Sequence, residues 1–337
     1  MFYKQLLGGF LMTFGICAVL TNSFVVVVMM KYKRKLFKFM SIYFLFHQSI
    51  LDIFTGLSAI SSAAIWDSIF NVRFKRLPDD DIFHQYIVCK LYIVDTVFYL
   101  FNSVSIYNII LLTMERYLKI VYPNVYELRI AKHIIRQSFA LIWCFNILTM
   151  TAVYVYFGDV KKDGQCHFKY STDISATILT TSLTITHFIL PLFIFIFCYI
   201  KIWIALKLHN AIHTTQPNTV SGVRSTIALQ AVSATLDEQG AYYQRTSFRN
   251  TQQKKIKEME KNIMTTLVTV SLAFFTTWMF SFMINILVAT NIIQNYSTEV
   301  NLLNLSFITL GSCLNAFIYA AKFKIFKRCA KHFLGLN

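Results

Sequence analysis

Residues 111–123 read "LLTMERYLKIVYP". An apolar run ends on a charged pair, Glu115 and Arg116, and the helical pattern then continues to Pro123, which breaks it. An ion pair at the end of a greasy helix suits a segment that leaves lipid there. The surrounding chain has the same character. Its 337 residues are 56% hydrophobic and only 14% charged, with a mean hydropathy of +0.52. The apolar residues come in long blocks, not in alternation with polar faces. A helix needs roughly 20 apolar residues to cross the hydrocarbon of a bilayer.

Seven such spans are predicted, over 8–30, 41–65, 88–117, 134–157, 174–203, 260–290 and 302–321. They are too long for the alternating strands of a membrane barrel. The first is too long for a secretory signal, and its basic cluster "KYKRK" follows it instead of preceding it. The expected fold is an all-α membrane protein, a seven-transmembrane helix bundle with a short amphipathic helix over 323–334. Residues 1–337 then make one domain. Residues 206–257 are polar and mostly unpatterned. They are expected to form a mobile cytoplasmic loop, helical at its ends where spans five and six continue.

Charge sets the orientation. Lys4, Arg73, Lys75, Arg76, Lys90, Lys161, Lys162 and Lys169 lie on one side, and the other 24 of the 32 Lys and Arg on the opposite side. The positive-inside rule then puts the N-terminus outside and the C-terminus in the cytoplasm. Basic loops facing anionic lipid account for the net charge of +16 without any nucleic acid.

On this topology only Cys89 and Cys166 of the seven cysteines face the oxidising outside, where they could bridge. The other five are expected to be reduced. Cys329, beside Lys327 and Arg328, reads equally as a palmitoylation site and as a plain surface thiol. Asp52 lies mid-span and needs a cation, a proton or hydroxyl partners. Asp95 is close to the outer end of its span, and its plainer reading is a carboxylate that reaches outer water. His47 and His187 read as hydrogen-bonded packing residues. His209 and His213 have metal-like spacing, but no carboxylate accompanies them as they enter the loop.

One polar or aromatic landmark arrives per span. These are Asn22, Asp52, Arg116 in "MERYLKIVYP", Trp143, Pro191 with Tyr199, Phe274 and Trp278 in "FFTTW", and Asn315 to Tyr319 in "NAFIY". In that order they resemble the signatures of class A, rhodopsin-like G protein-coupled receptors, of an invertebrate orphan or neuropeptide-like type. Cys89 and Cys166 match that family's disulfide. The resemblance runs from the first span to the amphipathic tail. Two departures stand out: Phe280 and Ala316 occupy positions where the family carries proline in helices six and seven.

The resemblance implies a plasma-membrane receptor that binds an extracellular ligand and activates a heterotrimeric G protein. Arg116, between Glu115 and Glu260, would latch helices three and six at rest, with Tyr117, Tyr199, Asn315 and Tyr319 in the coupling machinery. Ile106, Pro191, Phe274 and Trp278 would transmit the signal. Asp52, Ser105, Ser312 and Asn315 would converge as an allosteric sodium site, with Gly311 replacing a usual polar neighbour. Retinal is not expected, because the Schiff-base position is Thr309 and the first lysine of the span is Lys322. Phe98 stands where amine receptors carry an acid, so a peptide ligand is favoured over an amine. Asp95, Phe98, Tyr99, Asn102, His187, Trp278, Phe282 and Asn285 would line the pocket. An enzyme would need a nucleophile–base–acid set or a Gly-rich phosphate loop, and neither motif is apparent. The alternative is an ion-coupled transporter or channel that uses Asp52.

Overall fold

The computed structural model describes residues 2–37, 40–66, 95–129, 132–160, 166–168, 174–214, 262, 264–284, 286–287, 290, 292 and 298–336. Their core is a seven-helix bundle. We number its helices α1 (Phe2–Lys31), α2 (Met40–Trp66), α3 (Thr96–Val121) and α4 (Lys132–Phe157). Helix α5 runs over Ile174–Thr184, a π-helical stretch Ile185–Ile189, and Leu190–Thr214. Helices α6 (Met264–Ile284) and α7 (Thr298–Lys322) complete the bundle, and α8 (Lys324–Phe333) follows it. Short helical turns lie at Lys33–Leu36 and Pro123–Arg129, and strands β1 (Gly158–Val160) and β2 (Cys166–Phe168) pair antiparallel.

Polar residues stud the buried interior of α2, and large apolar residues face outward. Ser41, Gln48, Ser49, Asp52, Thr55 and Ser62 of α2 are all buried, while Leu20, Leu148, Phe193, Trp203 and Leu272 are exposed. Inside a membrane no hydrophobic force pulls helices together, so buried polar pairs and close packing must do so. Among the described residues five helices are long and apolar enough to cross a membrane: Tyr3–Lys31, Thr96–Val121, Thr181–Leu208, Met264–Ile284 and Glu299–Lys322. Helices α2 and α4, of 27 and 26 residues, have the length.

Helix ends depart from the expected spans. Helix α1 begins at Phe2, before residue 8, because nothing in the first turns breaks a helix. Helix α5 continues past 203 to Thr214, as the expected continuation into the loop; the rest of 206–257 lies outside the described residues. Helix α3 is described from Thr96; residues 88–94 of the expected span lie outside the described residues. Asp95 precedes it in the left-handed region, φ 55°, which aspartate enters more readily than most residues other than glycine. The π-helical stretch has a visible cause. Pro191 has no N–H, so the carbonyl of His187 loses its usual partner, and Ile185–Ile189 widens there. Where the family's other prolines are missing, packing fills the place: Phe280 meets Phe307 of α7 at 4.9 Å, and Ala316 is buried.

Helices α1 and α2 approach backbone to backbone. A Cβ added to Gly56 would sit 2.8 Å from the Gly15 carbonyl oxygen, and one added to Gly15 would sit 2.9 Å from that of Gly56. Neither carbonyl can swing away as a side chain could. Gly56→Ala is therefore expected to lower the melting midpoint of the solubilised protein, by overpacking of about 1–3 kcal/mol. Gly9→Ala is the control, since nothing lies within 4 Å of its added Cβ. Equal midpoints for the two variants would refute this close contact.

Helix α8 folds back on α1. Phe333 meets Phe24 edge-on at 5.8 Å, Lys31 Nζ lies 4.6 Å from the Phe333 ring centre, and the Tyr32 hydroxyl is 2.8 Å from His332 Nδ1. Cys329 lies on the inner face with Phe326 and Ala330. Cys329 is not a plain surface thiol, because it is buried, and burial raises its thiol pKa.

Candidate functional site

At the C-terminal end of α3, Arg116 is 1% exposed and Glu115 is buried beside it. Arg116 Nε lies 3.1 Å from Glu115 Oε2. The N–H does not point along that line, so the contact is an ion pair and not a linear hydrogen bond. Ser41, in the first turn of α2, joins the two: it accepts from the Arg116 guanidinium and donates to Glu115 Oε2 at 2.6 Å. Tyr126, on the turn after Pro123, donates to Glu115 Oε1, also at 2.6 Å. Both carboxylate oxygens are thus held by elements other than α3. Glu260 lies outside the described residues. Tyr117 turns away from the pair, against Tyr122 and Phe197. The Tyr199 hydroxyl is 3.0 Å from Ser271 and ties α5 to α6.

The second cluster surrounds Asp52. Asn315 Nδ2 donates to its Oδ2 at 2.9 Å, and Gln48 Nε2 donates to its Oδ1 at 3.3 Å. Ser312 stands beside the same carboxylate. Ser105 joins through Gln48, whose Nε2 donates to Ser105 Oγ as well. The four expected residues do converge, around a fifth that sequence reasoning missed. Asn22 links α1 to α7 by donating to the Ser312 carbonyl at 3.1 Å. An added Cβ on Gly311 would lie 2.7 Å from Thr277 Oγ1, so Thr277 of α6 fills that flank. Tyr319 is fully buried, its hydroxyl without a partner among the described residues.

The hydrogen bonds leading to Asp52 have one direction. Trp143 Nε1 can only donate, and it lies 3.2 Å from His47 Nε2. Nε2 must then accept, so Nδ1 carries the proton and donates to Asn108 Oδ1 at 3.0 Å. Asn108 Nδ2 donates to Gln48 Oε1 at 2.9 Å and to the Phe44 carbonyl at 3.0 Å. Gln48 then donates to Asp52. The chain crosses α4, α2 and α3, and every donor points toward the one group that is acceptor-only when ionised. His47 is thus the packing residue its sequence context suggested.

Toward the N-terminal end of α3 the expected pocket residues fall into different neighbourhoods. Asp95 is 3% exposed and accepts from Ser62 of α2 and, at 3.2 Å, from Asn301 of α7. It does not reach water, because the left-handed turn at residue 95 holds its carboxylate between two helices. The Tyr99 hydroxyl accepts from Asn304 at 3.1 Å. Asn102 spends its amide on its own helix, donating to the Phe98 carbonyl at 2.8 Å. Phe98, Ile106, Phe274, Trp278 and Phe282 share one buried apolar cluster. In it Phe274, Trp278 and Phe282 are spaced 5.5 and 5.6 Å apart along α6, and Phe188 of α5 stacks 4.2 Å from Phe282. Pro191 is buried in α5. His187 meets Tyr107 edge-on at 5.5 Å, and its Nε2 is buried without a partner among the described residues. Asn285 and Cys89 lie outside the described residues, and Cys166 opens β2 opposite Val160. The remaining five cysteines, Cys17, Cys144, Cys198, Cys313 and Cys329, are free thiols.

The arrangement is one of buried polar ties between helices, set beneath and beside an aromatic column. Such ties are directional and costly to leave half-made, which suits a bundle with two discrete packings. The family described as 7 transmembrane receptor (rhodopsin family) matches residues 21–319. The C-C chemokine receptor type 8 of Homo sapiens is 26% identical over 211 residues, which cover 60% of this chain and 54% of the receptor. The match therefore spans about half the length of that curated relative. The crystal structure of squid rhodopsin superposes with a TM-score of 0.71 at 16% identity, over 99% of this chain and 85% of the rhodopsin. At that identity the likeness concerns the fold alone.

Proposed function

The chain belongs to the rhodopsin family of seven-transmembrane receptors, and from that membership we propose that it is a plasma-membrane receptor which binds an extracellular ligand and activates a heterotrimeric G protein. The N-terminus is outside and the C-terminus cytoplasmic, as the basic loops require. The observation that carries the reading is the buried Arg116–Glu115 pair, fixed from α2 by Ser41 and from the following turn by Tyr126. A charge held that way is a resting lock: it is released only if the helices move apart. Tyr199, Asn315 and Tyr319 take part in coupling to the G protein, and Ile106, Pro191, Phe274 and Trp278 relay the signal to them. Cys89 and Cys166 bridge the outer end of helix three to the outer loop.

The ligand is a peptide. Asp95, the carboxylate nearest the outer end of α3, is already engaged by Ser62 and Asn301, which leaves it less suited to an amine. The human relative is by name a chemokine receptor, which also favours a peptide. The test is nucleotide exchange on a panel of G proteins by the reconstituted chain, with pools of peptides and of amines, and ion flux measured in the same vesicles. Peptide-dependent exchange is expected. Ion flux with no exchange under any pool would overturn the reading in favour of a channel or transporter.

A further inference from the structure

The family resemblance brings with it a sodium ion beside Asp52, and the donor set at Asp52 argues against one. A small hard cation binds lone pairs of oxygen. Here each carboxylate oxygen already takes an N–H, and so does the Ser105 hydroxyl oxygen. Oδ1 of Asp52 takes a Gln48 N–H and Oδ2 takes an Asn315 N–H. Ser105 Oγ, the oxygen on α3 that an ion would share with Asp52, takes a Gln48 N–H as well. An ion between Asp52 and Ser105 would meet the positive ends of the Gln48 N–H bonds.

The Gln48 amide cannot turn its oxygen inward instead. Its Oε1 accepts from Asn108 Nδ2 at 2.9 Å. Asn108 is fixed in turn by the Phe44 carbonyl and by His47, whose tautomer is set by Trp143. A flipped Gln48 would press oxygen on carboxylate at one end and N–H on N–H at the other. Four residues on three helices therefore determine which atom of Gln48 faces Asp52.

We infer that Gln48 is a built-in substitute for the cation: its amide bridges Asp52 and Ser105, ties α2 to α3, and leaves the receptor indifferent to sodium. The inference rests on family membership and on the geometry around Asp52. It requires neither a particular ligand nor a G protein.

The test uses the purified full chain in nanodiscs, with sodium chloride exchanged for choline chloride at constant ionic strength. The readout is the melting midpoint, so failure to find a ligand does not affect it. The unmutated protein is expected to melt at the same temperature in both salts. Gln48→Leu removes the N–H donors and returns the lone pairs of Asp52 and Ser105. It is expected to melt a few degrees higher in sodium than in choline, and Gln48→Leu with Asp52→Asn is expected to lose that difference. A sodium-dependent rise in the unmutated protein that Asp52→Asn abolishes would overturn the proposal. So would a folded Gln48→Leu protein that remains indifferent to sodium. If Gln48→Leu cannot be purified, Gln48→Ala carries the same comparison, and the unmutated protein alone still decides whether the site takes the ion.

Discussion

Glu115→Ala is expected to raise ligand-free nucleotide exchange about tenfold or more at matched surface expression. The residue supplies the carboxylate for three partners at once: Arg116, Ser41 and Tyr126. Its loss leaves a guanidinium buried without its counter-charge, a change that typically costs about 3–5 kcal/mol. The cost falls on the resting packing. An arrangement that opens the end of α3 to water or to a partner protein escapes most of it. Even if only about 1.4 kcal/mol falls differentially, a small active fraction rises about tenfold. Ser41→Ala and Tyr126→Phe each remove one hydrogen bond to the same carboxylate. Both are expected to act in the same direction by a few-fold. Binding of a non-hydrolysable GTP analogue to the co-reconstituted G protein measures all three. Silence in Glu115→Ala at equal surface number would make the ion pair a structural tie without a switching role.

How far the sequence foretold this molecule depends on which force sets each feature. Lipid demands long apolar helices, so the seven spans were legible from the long apolar blocks along the chain. Their ends were not, because a helix ends where local capping and neighbours decide: α1 starts earlier than its apolar block, and Asp95 adopts a left-handed turn with no glycine to announce it. The site residues were legible where each span carried one out-of-place polar group, as with Asp52, Arg116 and Asn315. Their partners were harder to see. Ser41 and Tyr126 are ordinary residues whose roles arise only from folding, Ser41 being 75 positions from Arg116. Gln48 had a readable signal. It stands four residues before Asp52, on the same face of a helix that should be apolar. Asn108 gave the same signal on α3.

Asp52→Leu is expected to be the most damaging single change in the bundle's interior. It would strand donors of Gln48 and Asn315 in a dry place. Each stranded group costs about 1–3 kcal/mol, which together rivals the whole stability of a folded domain. The protein should fail to reach the surface or melt far below the unmutated chain. Asp52→Asn separates shape from acceptor count. The asparagine offers one oxygen to two amide donors that arrive from opposite sides. Gln48 cannot adapt, since Asn108 fixes its orientation. The asparagine must therefore give its oxygen to Gln48 and turn its own N–H toward Asn315. Asp52→Asn should then lose roughly 1–3 kcal/mol. Asn315→Asp in the same chain should recover most of it, because the new carboxylate accepts where the old amide donated. Melting midpoints of the two single variants and the double variant measure this coupling. A double variant no more stable than the sum of its parts would mean that the 2.9 Å contact between Asn315 and Asp52 does not join α7 to α2.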